Sequence, residues 1–335
     1  MKSLAIDFEA RTLGWREAEA PEFLANKDVL YRVHEVGVCG TDRELAAFHL
    51  GEAPKGESHL VLGHEALGQV KETGAGVTGL NRGDWVVPTV RRACEPPCDS
   101  CARGRRDLCL TGKYTERGIF RLHGYFTEEA VDAEEDLVRV PLKIIDFAIL
   151  VEPLSSVEKA IARALDVHEG EPRTAAVLGL GPIGMLTAMA LKARGYAVRV
   201  HSLEPADHPR AAILKLMDIP YKPSIDGAAD LVFEATGSAD AALHALAHMP
   251  PLGVMMVLGA KDTQGPVPFL RMIMNNQTVI GTVNAGPESF RAAVEDLARF
   301  DRRATAALIS RARFTELPRS LTGPATAAPK VVHVL

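Results

Sequence analysis

The chain has 335 residues, 47% of them hydrophobic and 24% charged, with a formal net charge of −5. That length suits about two domains of ordinary size, and the composition is that of a globular protein. The negative charge gives no reason to expect nucleic acid as a partner, and no apolar stretch reaches the roughly 18 residues of a membrane helix. The N-terminus lacks the apolar run of a secretory signal. The expected setting is therefore cytoplasmic and reducing, where clustered cysteines bind metal rather than pair as disulfides.

In chain order, a short N-terminal strand comes first. DVLYRVHEVGV, at 28–38, then predicts a half-buried strand with Val29, Tyr31 and Val33 on one face. Strands follow around 61–70 and 85–88, punctuated by glycine turns at 74–76 and 81–84. This half reads as a small β-barrel-like domain. The texture changes near residue 150. SSVEKAIARALDV, at 155–167, has helical spacing, with Val157, Ile161, Ala164 and Leu165 on one face. A strand at 175–178 runs into a glycine turn, a helix at 185–194 ends at Gly195, and further strands are expected at 197–201, 230–235 and 254–259. Alternating strand and helix predict an α/β nucleotide-binding domain with a parallel sheet. The apolar end at 331–335 predicts a docked strand.

Four groups of residues carry chemistry. Cys39 and Thr41 lie in Cys39-Gly40-Thr41-Asp42, and His64 and Glu65 follow Gly63. Thiolate, imidazole and carboxylate are ligand types of a catalytic zinc, which keeps one position open. Taken alone, Cys39 is as well read as a core cysteine and His64 as a satisfied histidine. Cys94, Cys98, Cys101 and Cys109 are four of the five cysteines, within sixteen residues. They suit a structural zinc, with a redox pair or core thiols as alternatives. Gly179-x-Gly181-x-x-Gly184 follows a strand and opens a helix, as a pyrophosphate-binding turn does. Glu204 closes the next strand, where a carboxylate bonds the ribose of NAD and repels the extra phosphate of NADP. Its nearest downstream arginine is Arg210. Zinc and NAD, the latter ahead of NADP, are thus the expected cofactors. His49 is a candidate proton relay; the other histidines show no ligand spacing.

These motifs resemble the zinc-containing medium-chain alcohol dehydrogenase superfamily, and within it the glucose dehydrogenase group. Val90-Arg91-Arg92 before the cysteines, the segment 104–109, TGKYTERGI at 111–119, His123-Gly124-Tyr125, Val151-Glu152-Pro153-Leu154 and Gly281-Thr282-Val283-Asn284 carry the closer likeness. The resemblance implies a GroES-like β-barrel catalytic domain at 1–154 and 288–335 around a Rossmann domain at 155–287. It implies a catalytic zinc on Cys39, His64 and Glu65, joined by Glu152 directly or through water. Thr41 would contact the substrate oxygen, Glu116 and Glu152 the sugar, and Asn284 the nicotinamide or substrate. Leu180, Pro182, Ile183 and Ser202 would complete the cofactor site. The implied activity is oxidation of an aldose C1 hydroxyl to the lactone, in a homodimer or homotetramer. A polyol or secondary alcohol dehydrogenase, and a non-catalytic NAD(P)H-binding protein, are the alternatives. Three departures stand out. Three residues separate Cys94 from Cys98 where two are commoner, so either the loop bulges at Pro96-Pro97 or Cys94 is not a ligand. Ser202-Leu203 replaces an arginine pair of NADP-preferring relatives. Ser156 and Ser289 stand where sugar contacts are expected.

Overall fold

The computed structural model describes residues 1–23, 26–225, 229–259, 261, 264–324 and 326–335. Two large sheets organise them. The first is mixed and built on the long strand Asp28–Val38. One edge of that strand pairs antiparallel with Glu65–Thr73; the other pairs with Glu129–Ala133 over its first half and with Lys330–Val334 over its last. Trp85–Pro88 and Leu137–Val140 extend the sheet on one side, and Ile309–Arg313 on the other. The expected alternation holds, since Val29, Tyr31 and Val33 are all fully buried. The last strand begins one residue before the apolar run, at Lys330, which is buried despite its charge.

The second sheet has six parallel strands, in the spatial order Tyr221–Lys222, Ala197–His201, Thr174–Leu178, Leu231–Glu234, Val254–Val257 and Thr278–Gly281. The strand order reverses between Thr174–Leu178 and Leu231–Glu234. In such sheets a crevice opens there, at the carboxyl ends of the strands.

The helix Val151–Val167 joins the two halves and starts four residues before its predicted beginning. Its Leu154, Val157 and Ile161 share one apolar cluster with Val87 and Val140 of the mixed sheet and with Val177 and Val200 of the parallel one. Enclosure on several sides overrides the simple one-face expectation. Leu165 is 36% exposed, while Ser155, Glu158 and Lys159 are buried. Glu158 and Lys159 are tolerated there because they pair with Arg194 and Asp107. Among the described residues no helix is long and apolar enough to cross a membrane.

A buried polar knot closes the mixed sheet. Asp132 accepts hydrogen bonds from the hydroxyls of Tyr31 at 2.6 Å and Tyr125 at 3.0 Å, and pairs with Arg117 at 2.7 Å and with Arg92. Burial alone would raise the Asp132 carboxyl, but the two guanidiniums outweigh it and hold it down to about 2. Its ordinary value is about 3.9. The group therefore stabilises the fold above about pH 4, and that contribution, of about 2 kcal/mol, is lost as the pH falls toward 2. Urea titrations at several pH values should show this acid limb flattened in an Asp132→Asn variant that is also less stable at neutral pH. An acid limb identical to that of the wild type would contradict the assignment.

Candidate active site and metal centres

Sheet register builds the first site. Gly37 pairs with Glu65, so the end of Asp28–Val38 lies beside the start of Glu65–Thr73, and Cys39 lies beside His64. The Cys39 sulfur is 3.1 Å from His64 Nε2. The ligand atoms of Cys39, His64 and Glu65 all lie within 4.8 Å of one another. Gly37 makes the room: a Cβ there would come within 1.9 Å of Glu65 Oε2.

The neighbours orient this trio. Asp42 is fully buried at the start of the helix Gly40–Ala46. Its Oδ2 accepts the Cys39 backbone N–H at 2.9 Å, and its Oδ1 lies 3.2 Å from His64 Nδ1, not aligned for a full hydrogen bond. A carboxylate on Nδ1 turns Nε2 toward the sulfur, as in many metal-bound histidines. Burial would lower the His64 pKa, but Cys39 and Asp42 raise it well above the usual range. Lys330 donates to Glu65 Oε1 and to the Val38 carbonyl, and both side chains are 1% exposed. Glu65 Oε2 has no partner among the described residues although it is buried. An unpaired buried oxygen is costly, and a cation between the three ligand atoms would satisfy it. The donor set therefore fits zinc. Glu152 is outside the trio. Burial and the nearby Glu65 push its carboxyl up to about 7. Thr41 lies on the same short helix as Asp42, half-buried. His49 is exposed, against Glu44 at 2.7 Å.

The second centre is the cysteine loop. The sulfurs of Cys94, Cys98, Cys101 and Cys109 lie within 4.8 Å of one another, so the structure brings Cys94 in with the rest. The Cys94 and Cys101 sulfurs are 3.7 Å apart. Backbone N–H groups of Cys98 and Leu110 point at the sulfurs of Cys94 and Cys98, at 3.2 and 3.4 Å. Burial pushes the Cys101 thiol up to about 12. Against a burial penalty, hydrogen bonds from Thr111 bring Cys109 down to about 6. Four sulfurs at this spacing suit a closed tetrahedral zinc.

A third cluster, Glu57, His59 and His123, had no signal in the sequence. His123 Nδ1 accepts the Val61 N–H at 3.1 Å, which leaves the ring proton on Nε2, 3.0 Å from Glu57. That nitrogen donates a hydrogen bond and is a poor ligand.

Glu116 and Asn284 come together from distant parts of the chain. Glu116 Oε1 accepts from Asn284 Nδ2 and from Arg91 Nε, both at 2.8 Å. Asn284 has a left-handed backbone, with φ 61°. The cofactor turn also has the expected form. A Cβ on Gly184 would lie 2.1 Å from the Gly179 carbonyl, whereas one on Gly181 would meet nothing within 4 Å. The third glycine thus allows helix and strand to touch, and the second leaves open space at the positive end of Pro182–Ala193. Leu180 is buried behind the turn, and Pro182 and Ile183 are half-buried at the helix start. Past the next strand, Glu204 accepts from the Ser202 hydroxyl, and Tyr221 donates to both backbone carbonyls. Arg210 is occupied elsewhere, bonding the carbonyls of Thr326 and Ala327 at 3.0 Å each.

Reasoning from sequence missed Asp42, Arg91, Asp107, Lys159 and Lys330. One signal was present: Lys330 is a charge placed directly before the apolar run at 331–335.

A family model described as glucose dehydrogenase C-terminus matches residues 145–319, and one described as alcohol dehydrogenase GroES-like domain matches 25–142. Glucose 1-dehydrogenase 2 of Vulcanisaeta moutnovskia is 40% identical over 81% of this chain and 80% of its own. Glucose 1-dehydrogenase of Thermoproteus tenax is 37% identical over 80% of each chain. The solved structure of Haloferax mediterranei glucose dehydrogenase in complex with NADP, Zn and gluconolactone superposes with a TM-score of 0.91 at 30% identity, covering 100% of this chain and 99% of that one.

Proposed function

The chain belongs to the glucose dehydrogenase group of the zinc-containing medium-chain alcohol dehydrogenase superfamily, and we propose that it oxidises the C1 hydroxyl of an aldose to the lactone with NAD(P). The observation that carries this is the convergence of Cys39, His64 and Glu65 at two paired strand ends, in a chain similar over its length to a glucose dehydrogenase bound to NADP, zinc and gluconolactone. The reading keeps a catalytic domain at 1–154 and 288–335 around a Rossmann domain at 155–287. The return of Ile309–Arg313 and Lys330–Val334 to the mixed sheet supports that division.

Zinc held by Cys39, His64 and Glu65, with Glu152 beside them, would act as a Lewis acid on the sugar oxygen, and NAD(P) on the 179–184 turn would accept the hydride. The chain's own groups do the rest. Asp42 fixes the His64 ring, and Lys330 holds one oxygen of Glu65 and offsets part of the negative charge of the ligands. Thr41 Oγ1 would accept the proton released from the sugar hydroxyl while giving its own to solvent, since the residue is only half-buried. Glu116 and Asn284 offer an acceptor and a donor to sugar hydroxyls, which must find partners once buried. Four cysteines gathered as a metal-type cluster support a reducing, cytoplasmic setting. Phe269, Leu270, Ile273 and Met274, each at least 68% exposed beside the edge strand Thr278–Gly281, support a homo-oligomer.

NAD is preferred over NADP in this reading. The Glu204 carboxylate at the strand end supports it, as does the occupation of Arg210 by backbone carbonyls.

Four tests follow from this reading. The purified protein should bind zinc and reduce NAD(P) with at least one aldose among aldoses, polyols and simple alcohols. His64→Ala should lose about 100-fold or more in kcat, since even the outer-shell partners of a metal ligand are worth about 10–100-fold, together with catalytic-site zinc, while keeping its affinity for NAD. Full zinc with no turnover of any aldose would defeat the proposal. Glu204→Ala should shift the ratio of kcat/KM for NAD over NADP toward NADP by about tenfold; an unmoved ratio removes Glu204 as the reader. Light scattering should give a mass above the 36.1 kDa of one chain, and a single-chain mass would overturn the homo-oligomer.

A further inference from the structure

The cysteine loop reaches the sugar-recognising pair through a single aspartate. Asp107 lies two residues before Cys109, in the short turn Arg106–Leu108, and is 5% exposed. Its backbone carbonyl accepts from Arg91 Nη1 at 3.1 Å, and the same guanidinium holds Glu116 at 2.8 Å and lies 3.7 Å from the centre of the Tyr114 ring. Its carboxylate pairs with Lys159 Nζ at 2.8 Å, and Lys159, also 5% exposed, donates to the Val283 carbonyl at 3.0 Å. Val283 immediately precedes Asn284. The loop 283–286 also packs onto the aspartate, since a Cβ on Gly286 would lie 3.2 Å from Asp107 Oδ1. One residue of the cysteine loop thus reaches Glu116 through Arg91, and the carbonyl of Val283, next to Asn284, through Lys159.

Neither link touches the trio of Cys39, His64 and Glu65. A non-glycine residue in the left-handed region carries backbone strain and persists only where its surroundings hold it. For Asn284, that restraint is the Lys159 bond to the preceding carbonyl together with the Glu116 bond to its own amide.

We infer that Asp107 and Lys159 are positioning residues that set the geometry of Glu116 and Asn284, so that the four-cysteine loop governs affinity for the substrate as well as local stability. The inference rests on the sugar-oxidising reading above. Removing the Asp107–Lys159 link should let the Val283–Asn284 turn drift and loosen the Asn284 bond to Glu116, weakening hydrogen bonds to the sugar in ground and transition states alike. Such a loss raises KM and leaves kcat nearly unchanged.

The experiment uses the full-length, zinc-loaded protein and the best aldose of the wild type. Lys159→Met, Asp107→Asn and the double variant are compared, the last because it leaves no buried charge without its partner. Each should raise the aldose KM, and the dissociation constant of the corresponding lactone measured by calorimetry, by about tenfold, as expected for one or two lost hydrogen bonds. In all of them kcat, NAD affinity and zinc per chain should stay within about threefold of the wild type. Lys159→Arg, which keeps the charge and the reach, should restore most of the affinity. Cys109→Ser should raise KM likewise while retaining zinc at the other centre, and adding it to Asp107→Asn should produce less than the sum of the two effects. Folded variants with full zinc and an unchanged KM and lactone affinity would overturn the inference, as would additive effects of Cys109→Ser and Asp107→Asn. If Lys159→Met does not fold, Asp107→Asn and Cys109→Ser decide the question by the same two measurements. A wild type that oxidises no aldose would instead overturn the sugar reading on which the inference stands.

Discussion

A lysine ammonium buried against a glutamate holds this molecule together where it matters most. Lys330 comes from the last strand of the chain and Glu65 from the strand Glu65–Thr73, and between them runs the strand Asp28–Val38 that pairs with both. Breaking such a buried pair by removing one partner costs about 3–5 kcal/mol. The contact therefore ties the end of the chain to the residues beside Cys39. It also fixes which Glu65 oxygen is free, because Oε1 is committed to the lysine and Oε2 faces the glycine-lined space at Gly37. The same contact serves stability and ligand geometry.

A comparable economy governs the surroundings of Glu116 and Asn284. Arg91 and Lys159 are buried cations that each hold two anionic or carbonyl groups, and Asp107 is a partner of both. Burial of so many charges is tolerable only because each one is paired. The price is that no member can move alone. A loop carrying four cysteines, a helix shared by both sheets and the turn carrying Asn284 are thereby joined by hydrogen bonds and an ion pair, separately from the Cys39, His64 and Glu65 trio.

The elements with strong periodicity were legible in the sequence. The strand Asp28–Val38, the glycine turn and the strand Ala197–His201 fall where their patterns place them, because alternation and glycine chemistry are local properties. The helix Val151–Val167 was legible in kind but not in orientation. A pattern of one apolar face cannot represent a helix enclosed by two sheets, and so Leu165 was expected inside and Lys159 was overlooked. The cysteine spacing left open whether Cys94 belongs with its neighbours, since a bulge at Pro96-Pro97 is a matter of loop path and not of composition.

Residue types alone determined the candidate chemistry: a thiol, an imidazole and a carboxylate for one metal, four thiols for another, and a glycine turn for a dinucleotide. Local sequence also determined the two-part architecture, through the change from alternating strands to strand–helix repeats. Only the tertiary structure decided what surrounds those groups. Asp42 behind His64, Lys330 against Glu65, and Asp107 between Arg91 and Lys159 are pairings over strand register and long loops, at sequence separations of up to 265. Hydrogen bonds and ion pairs act over a few ångströms in space. Sequence distance carries no information about them until the chain has folded.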